Sequence, residues 1–140
     1  MIESITRVGV YGLIQEGEKL LLVQQPSGPF KGRWDFPGGG IELGETVEQT
    51  LRRELIEEIH AAFDTMKFLD NLTCTTPISS SSGEQDLVFF QIGLIYKVQG
   101  LQFLELSSTT LLSHAWVKIE QLHVHNTSPL LWKLITYHLS

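Results

Sequence analysis

The chain has 140 residues and a formal net charge of −6, enough for one domain spanning 1–140 with a sizeable core. Hydrophobic residues at 42% and charged residues at 19% are those of an ordinary soluble globule. The negative balance argues against a nucleic-acid or anionic-membrane surface, and no apolar run approaches the ~18 residues of a membrane span. One cysteine, Cys74, permits no internal disulfide and fits a reducing cytoplasm. The start, MIESITRVGVYGLIQEG, has no basic segment followed by a long apolar run, so no signal peptide is expected.

In chain order, Ile5 to Ile14 reads as a strand of mixed alternation. A turn at Glu16-Gly17-Glu18 joins it to a second, largely buried strand, Lys19 to Val23, giving a hairpin. Gln24 to Gly32 is a Pro/Gly-rich loop, and Arg33 to Phe36 is a short strand ended by Pro37. The run Gly38-Gly39-Gly40 permits a close backbone approach and reads otherwise as a tight turn. A helix begins at Val47, because Thr46 and Gln49 form a capping-box pattern. Its apolar stripe is Val47, Leu51, Leu55 and Ile59. Beyond it, Thr65 to Thr76 is strand-like with polar breaks, and Pro77 to Gln85 is a loop by composition. Asp86 to Val98 is dense in β-branched and aromatic residues and predicts a strong strand. A turn at Gly100 leads to a short strand over Leu101 to Leu106. Ser113 to Val117 is a late strand, followed by a helical turn from Lys118 to Leu122. Asn126-Thr127-Ser128-Pro129 carries N-cap and N1 signals for a last helix to about Leu139. One central and one terminal helix among these strands predict an α/β/α sandwich around a mixed sheet.

The central helix carries unusual chemistry. Glu54, Glu57 and Glu58 stand at i, i+3 and i+4, so their carboxylates share one edge of the apolar stripe. Like charges so spaced repel by a few tenths of a kcal/mol. A hard divalent cation reverses that sign, because Mg²⁺ binds through a few carboxylates while keeping sites for water and phosphate oxygens. A solvated acidic face would explain the charges, but not the glycines, the Arg53-Glu54 pair or the spacing.

The stretch GGIELGETVEQTLRRELIEEIHA resembles the Nudix box of the Nudix (MutT-like) hydrolases, G-x5-E-x7-R-E-U-x-E-E-x-G-U with U a bulky aliphatic. Gly39, Glu45, Arg53, Glu54, Leu55, Glu57 and Glu58 fill it in register, and Trp34-Asp35-Phe36-Pro37-Gly38 resembles the strand leading into it. The match departs at its end, where His60 replaces the usual Gly and Ala61 a larger aliphatic. That glycine ordinarily takes a left-handed conformation past the helix, which His adopts at some cost.

The resemblance implies the α/β Nudix sandwich and divalent-metal-dependent hydrolysis of a phosphoanhydride in a nucleoside diphosphate linked to another moiety. The substrate would be a small nucleotide: a nucleoside triphosphate, ADP-ribose or a nucleotide sugar. It implies Mg²⁺ or Mn²⁺ held by Glu54, Glu57, Glu58 and a carbonyl at Gly39. Arg53 would fix a box glutamate, Glu45 would support the loop-helix-loop, and Glu54 or Glu57 would serve catalysis with Arg53. The general base stays open among Glu54, Glu57 and the loop acids Glu84, Asp86 and Glu105. Lys31, Arg33 and Trp34 precede the box, where they could meet phosphate or stack on a base; each is equally an ordinary surface cation or core Trp. Asn126 could read a base edge, although a helix-cap role explains it. Pro77 lies near where ADP-ribose-cleaving members carry a proline, and a loop breaker explains it better. The five histidines form no ligand set. Many relatives dimerise, which leaves a homodimer open. The alternative is a non-catalytic Nudix domain that senses a nucleotide-like ligand, with His60 its one hint.

Overall fold

The computed structural model describes residues 3–78, 87–105 and 111–139. Strand β1 (Glu3–Leu13) passes through the short β2 (Gln15–Glu16) and a turn into β3 (Lys19–Gln24). Leu20 to Val23 of β3 are all buried, as expected of a strand covered on both faces. The lead-in strand β4 (Trp34–Asp35) pairs with β3. The glycine run is a strand and not a turn: β5 (Gly38–Gly40) lies antiparallel to β1, with Tyr11 opposite Gly38 and Gly9 opposite Gly40. At its first position only glycine fits. Gly38 has φ +140°, and a Cβ on it would stand 2.2 Å from the Val10 carbonyl oxygen.

Helix α1 (Val47–Ile59) starts as its capping box predicts, with Thr46 Oγ1 accepting from Gln49 N–H at 3.1 Å and Gln49 Oε1 from Thr46 N–H at 2.9 Å. It ends on His60, whose φ of 53° and ψ of 51° are left-handed. His thus takes the conformation usual for glycine, and the helix exit keeps its shape.

The rest of the chain is largely strand. After β6 (Ala61–Ala62), strands β7 (Thr65–Ile78) and β8 (Leu87–Gln99) pair antiparallel, with a register shift between Phe68 and Asp70. Pro77 therefore ends no strand; β7 is an edge strand, where a residue without N–H is tolerated. The strand expected over Leu101 to Leu106 shrinks to β9 (Gln102–Phe103), which pairs with β6. Strand β10 (His114–Lys118) pairs with β3 and leads into a 3₁₀ turn at Ile119–Gln121. Helix α2 (Pro129–Leu134) is capped by Ser128, whose hydroxyl accepts from Leu131 N–H at 3.2 Å. Past Leu134 the helix widens to a π-helical turn, Ile135–Leu139, where the Thr136 hydroxyl donates to the Lys133 carbonyl.

A mixed sheet in the order β5-β1-β8-β7, with β1 parallel to β8, stands beside a second sheet, β10-β3-β2, with β4 on β3. Alternation along the strands divides the core. Val10, Leu21 and Val23 meet Leu51, Leu55 and Ile59 of α1. Tyr11, Leu20, Leu22 and Ile95 meet Leu130, Leu131 and Leu134 of α2. Each fully buried Leu contributes roughly 2 kcal/mol of burial. The sheets are thus sandwiched between two helices, and among the described residues no helix is long and apolar enough to cross a membrane.

Candidate active site

Helix α1 docks its apolar stripe on the sheets and so turns its acidic edge toward the β5 glycines. Gly39 makes this approach possible: a Cβ there would sit 2.6 Å from the Glu54 carboxyl carbon. One turn further along, Glu58 accepts the Gly38 N–H at 2.7 Å. Burial pushes its carboxyl up to about 8, and the neighbouring charges of Glu54, Asp35 and Glu57 add to the shift. Glu54 is pushed up by burial too, against the opposing pull of Arg53. Glu57 is more open, its side chain 56% exposed.

Arg53 organises this edge. Its Nε and Nη2 grip Glu45 in a two-point fork at 2.6 and 3.0 Å, and Nη1 reaches Glu54 at 2.9 Å and Glu57 at 3.2 Å. A further bond from Nη2 to the Gly40 carbonyl, 3.1 Å, ties the helix to β5. The Arg53 hydrogen bond holds the Glu45 carboxyl down to about 2, and Glu45 also accepts from Glu42 N–H and the Thr50 hydroxyl. The same pair raises the Arg53 guanidinium above its ordinary value.

Among the described residues no three acidic, His or Cys side chains converge on one point, because Glu58 faces Gly38 N–H while Glu54 and Glu57 face Arg53. The donor chemistry nonetheless fits a divalent cation. It is all hard oxygen, and two desolvated carboxylates pushed upward are the groups that a cation would relieve.

Beside this edge a cavity of about 430 Å³ opens between β1, β5, β8 and the start of α2. Gly38, Gly39, Gly40 and Glu58 form one end of its wall. Asp35, Tyr11, Gln25 and Gln91 are among its polar groups, and Phe36 and Phe89 among its apolar ones. Asp35 is 5% exposed. Its Oδ1 accepts from Phe36 N–H at 2.8 Å and from the Ser128 hydroxyl at 2.7 Å, and its Oδ2 accepts from Gln25 Nε2. Burial lifts the Asp35 carboxyl to about 6 against those three donors. Tyr11 accepts from Gln91 Nε2 at 2.9 Å, and burial raises its hydroxyl well above the ordinary tyrosine value. The backbone sets Ser128 here: Trp34 N–H donates to the Asn126 carbonyl and Ser128 N–H to the Trp34 carbonyl, both at 2.8 Å.

The sequence-predicted residues divide. Gly39, Glu45, Arg53, Glu54, Glu57 and Glu58 come together. Lys31, Arg33, Trp34 and Asn126 do not line the cavity. Lys31 is exposed, Arg33 lies over the Phe30 ring at 5.1 Å, and Trp34 packs against the α2-side core. Asn126 is not the helix cap; Ser128 is, and the Asn126 amide closes its own loop on Gln121 O and His123 N–H. Glu105 is exposed and absent from the cavity wall, and Glu84 and Asp86 lie outside the described residues. Asp35 escaped sequence reasoning as a site residue. Its one signal was a lone carboxylate between two aromatics in a strand ended by proline.

Comparison with known proteins places the family and the fold. The family model NUDIX domain matches residues 4–137. Nucleoside triphosphatase NudI of Salmonella paratyphi B is 31% identical over 127 residues, 86% of this chain and 87% of that protein. ADP-ribose pyrophosphatase of Methanocaldococcus jannaschii is 47% identical over 51 residues, 36% of this chain and 30% of that protein. With this and two other curated relatives the match spans only 30 to 39% of the relative's length. Among solved structures, the MutT NUDIX hydrolase from Burkholderia pseudomallei superposes with a TM-score of 0.68 at 19% identity, covering 97% of this chain and 99% of that one. That likeness speaks for the fold.

Proposed function

The chain belongs to the Nudix family, and on that premise we propose that it is a divalent-metal-dependent pyrophosphohydrolase acting on a small nucleotide. The observation that carries this reading is the Glu54-Glu57-Glu58 edge of α1, set against the β5 glycines at the mouth of a nucleotide-sized cavity. Family members generally use divalent metals, and Mg²⁺ or Mn²⁺ suits the oxygen donors present. Glu54, Glu57, Glu58 and the carbonyl of Gly39 are the groups that would hold the ion. When bound, it would neutralise phosphate charge and lower the pKa of a bound water.

The chain's own residues do the rest. Arg53 holds Glu45 and spans Glu54 and Glu57, so it fixes the carboxylates before substrate arrives. The cavity takes the nucleoside end and orients the diphosphate along the β5 glycines. Water attacks one phosphorus, the bridging P–O bond breaks, and the departing phosphate keeps the bridging oxygen. The water's proton goes to Glu54 or Glu57, the two acids beside Arg53. The sensor alternative loses its hint, since His60 holds the helix exit in the left-handed geometry usual for glycine. A cytoplasmic setting is part of the proposal; a homodimer is compatible with it.

The test is release of phosphate or nucleoside monophosphate from nucleoside triphosphates, ADP-ribose, nucleotide sugars and dinucleoside polyphosphates, with Mg²⁺, Mn²⁺ or chelator. Turnover that needs metal and is lost in Glu57→Gln and Glu58→Gln is expected. Full turnover in both variants would overturn the assigned site.

A further inference from the structure

The polar floor of the cavity serves no step in the chemistry above, yet its hydrogen bonds leave a definite pattern of vacancies. Resting on the nucleotide-hydrolase reading, we propose that Asp35 and Gln25 select a guanine-type base, taking its adjacent N1–H and exocyclic amino donors on Asp35 Oδ2 and Gln25 Oε1.

The argument is a count of acceptors. A carboxylate offers about four lone-pair positions. On Asp35, Phe36 N–H and the Ser128 hydroxyl take two on Oδ1, and Gln25 Nε2 takes one on Oδ2. One acceptor position remains on Oδ2. Because the Gln25 amide gives its NH₂ to Asp35, its carbonyl oxygen is the end left over, and it has no partner among the described residues. Gln91 repeats the arrangement: its NH₂ goes to the Tyr11 hydroxyl, and its carbonyl is left over among the described residues. Each amide also keeps a second N–H and Tyr11 its O–H, but the open acceptor positions on Asp35 and the two amide carbonyls outnumber these donors. Arg7 is the one Lys or Arg on the wall, and it is exposed at the rim. With its carboxyl lifted only to about 6, Asp35 is an ionised acceptor at neutral pH.

A buried carboxylate without a cation is costly, and ligand N–H groups are what relieve it. Among the common bases, guanine alone presents two adjacent N–H donors on one edge. Adenine and cytosine place a ring acceptor beside their amino group, and uracil and thymine flank one N–H with carbonyls. Held in the same place, those acceptors would face the Asp35 Oδ2 or Gln25 Oε1 oxygen unpaired. Phe36 and Phe89 offer apolar walls for the ring. Gly39 and Glu58, on the same cavity, put the phosphate end at the acidic edge.

The sharpest probe changes one group: hypoxanthine keeps N1–H and lacks the exocyclic amine. We expect kcat/KM for GTP to exceed that for ITP by about 10- to 100-fold, and to exceed those for ATP, CTP and UTP by at least as much. In Asp35→Asn, which weakens the acceptor of N1–H, the values for GTP and ITP should both fall more than about 10-fold, with their ratio largely kept. Gln25→Ala, at a partly exposed position, removes the acceptor of the exocyclic amine and should bring the GTP-to-ITP ratio toward one; it also guards against misfolding of the first variant. A GTP-to-ITP ratio near one in the parent, a ratio unchanged in folded Gln25→Ala, or GTP and ITP values both unchanged in folded Asp35→Asn overturns the proposal. If no nucleotide turns over with Mg²⁺ or Mn²⁺, the hydrolase reading fails by itself, and equilibrium binding of GMP against IMP decides the base question. Preference for GMP upholds the inference, and equal or no binding overturns it.

Discussion

Glu58 and Asp35 stand on the wall of one cavity, the first half-buried and the second buried, both pushed above the ordinary carboxylate range, yet they are held in opposite ways. Glu58, on α1, accepts one backbone N–H and has Glu54 and Glu57 as neighbours. Asp35, on β4, accepts from a backbone N–H, a hydroxyl and an amide drawn from three separate parts of the chain. The contrast shows how the number of donors assigns a role. A desolvated carboxylate with one donor and acidic neighbours has lone pairs to spare for a cation. One with three donors has a single place left, suited to one N–H of a ligand.

The largest effect that should break or sharpen this contrast is Glu58→Gln. It keeps an acceptor for Gly38 N–H but removes the charge, so turnover should fall by more than about 100-fold, with the melting temperature of metal-free protein kept or raised. A stable variant with parental kcat would erase the distinction between the two acids. Next comes Arg53→Lys, which keeps the charge but loses the fork on Glu45 and the reach to Glu54 and Glu57. A drop of about 10- to 100-fold in kcat is expected, with KM moving less; an unchanged kcat would show that Arg53 does not fix the carboxylates.

Asp35 should announce itself through pH. Its folded value of about 6 lies above its ordinary 3.8, so between those values the folded state holds a proton that the unfolded state has released. Its contribution is full below pH ~4 and is lost as pH rises through about 6, on the order of 3 kcal/mol in all. Denaturant midpoints at pH 4.5 and 7.5 test this: the parent should lose more stability across the window than Asp35→Asn. Parallel losses would mean that Asp35 is hydrated and its burial misjudged. The smallest effect concerns His60. Replacing it with Gly relieves the left-handed backbone and removes a buried Nδ1 that has no partner among the described residues. A gain of up to ~1 kcal/mol at unchanged kcat is expected, and a loss would show that the ring is needed where it sits.

Legibility follows the same divide. Thr46 with Gln49, the Glu54-Glu57-Glu58 edge and the left-handed exit at His60 were readable because each is set within a turn or two of one helix. The close approach at the glycine run was legible, but not its pairing as a strand, because its partner is β1, some thirty residues earlier. The two-residue strands β6 and β9 carry too few side chains to show a period. Asn126 was taken for the cap because it opens a run of cap-like residues, and only the docking of residues 126–128 on Trp34 makes Ser128 the one that counts. Asp35 was hidden for the strongest form of this reason: its partners stand at positions 25, 36 and 128, and no local pattern joins them.

The parallel pairing of β1 with β8 also has a consequence in time. Gly9 lies opposite Gly93, so the first strand has no neighbour on that side until the segment 87–97 has emerged from the ribosome. Helix α1 and its acidic edge can begin to form long before that. The wall bearing Tyr11 and Gln91 cannot, since closing so long a loop is slow. During synthesis the acidic edge should thus precede the cavity wall. Slow folding phases should track substitutions along the β1–β8 seam more than those in α1.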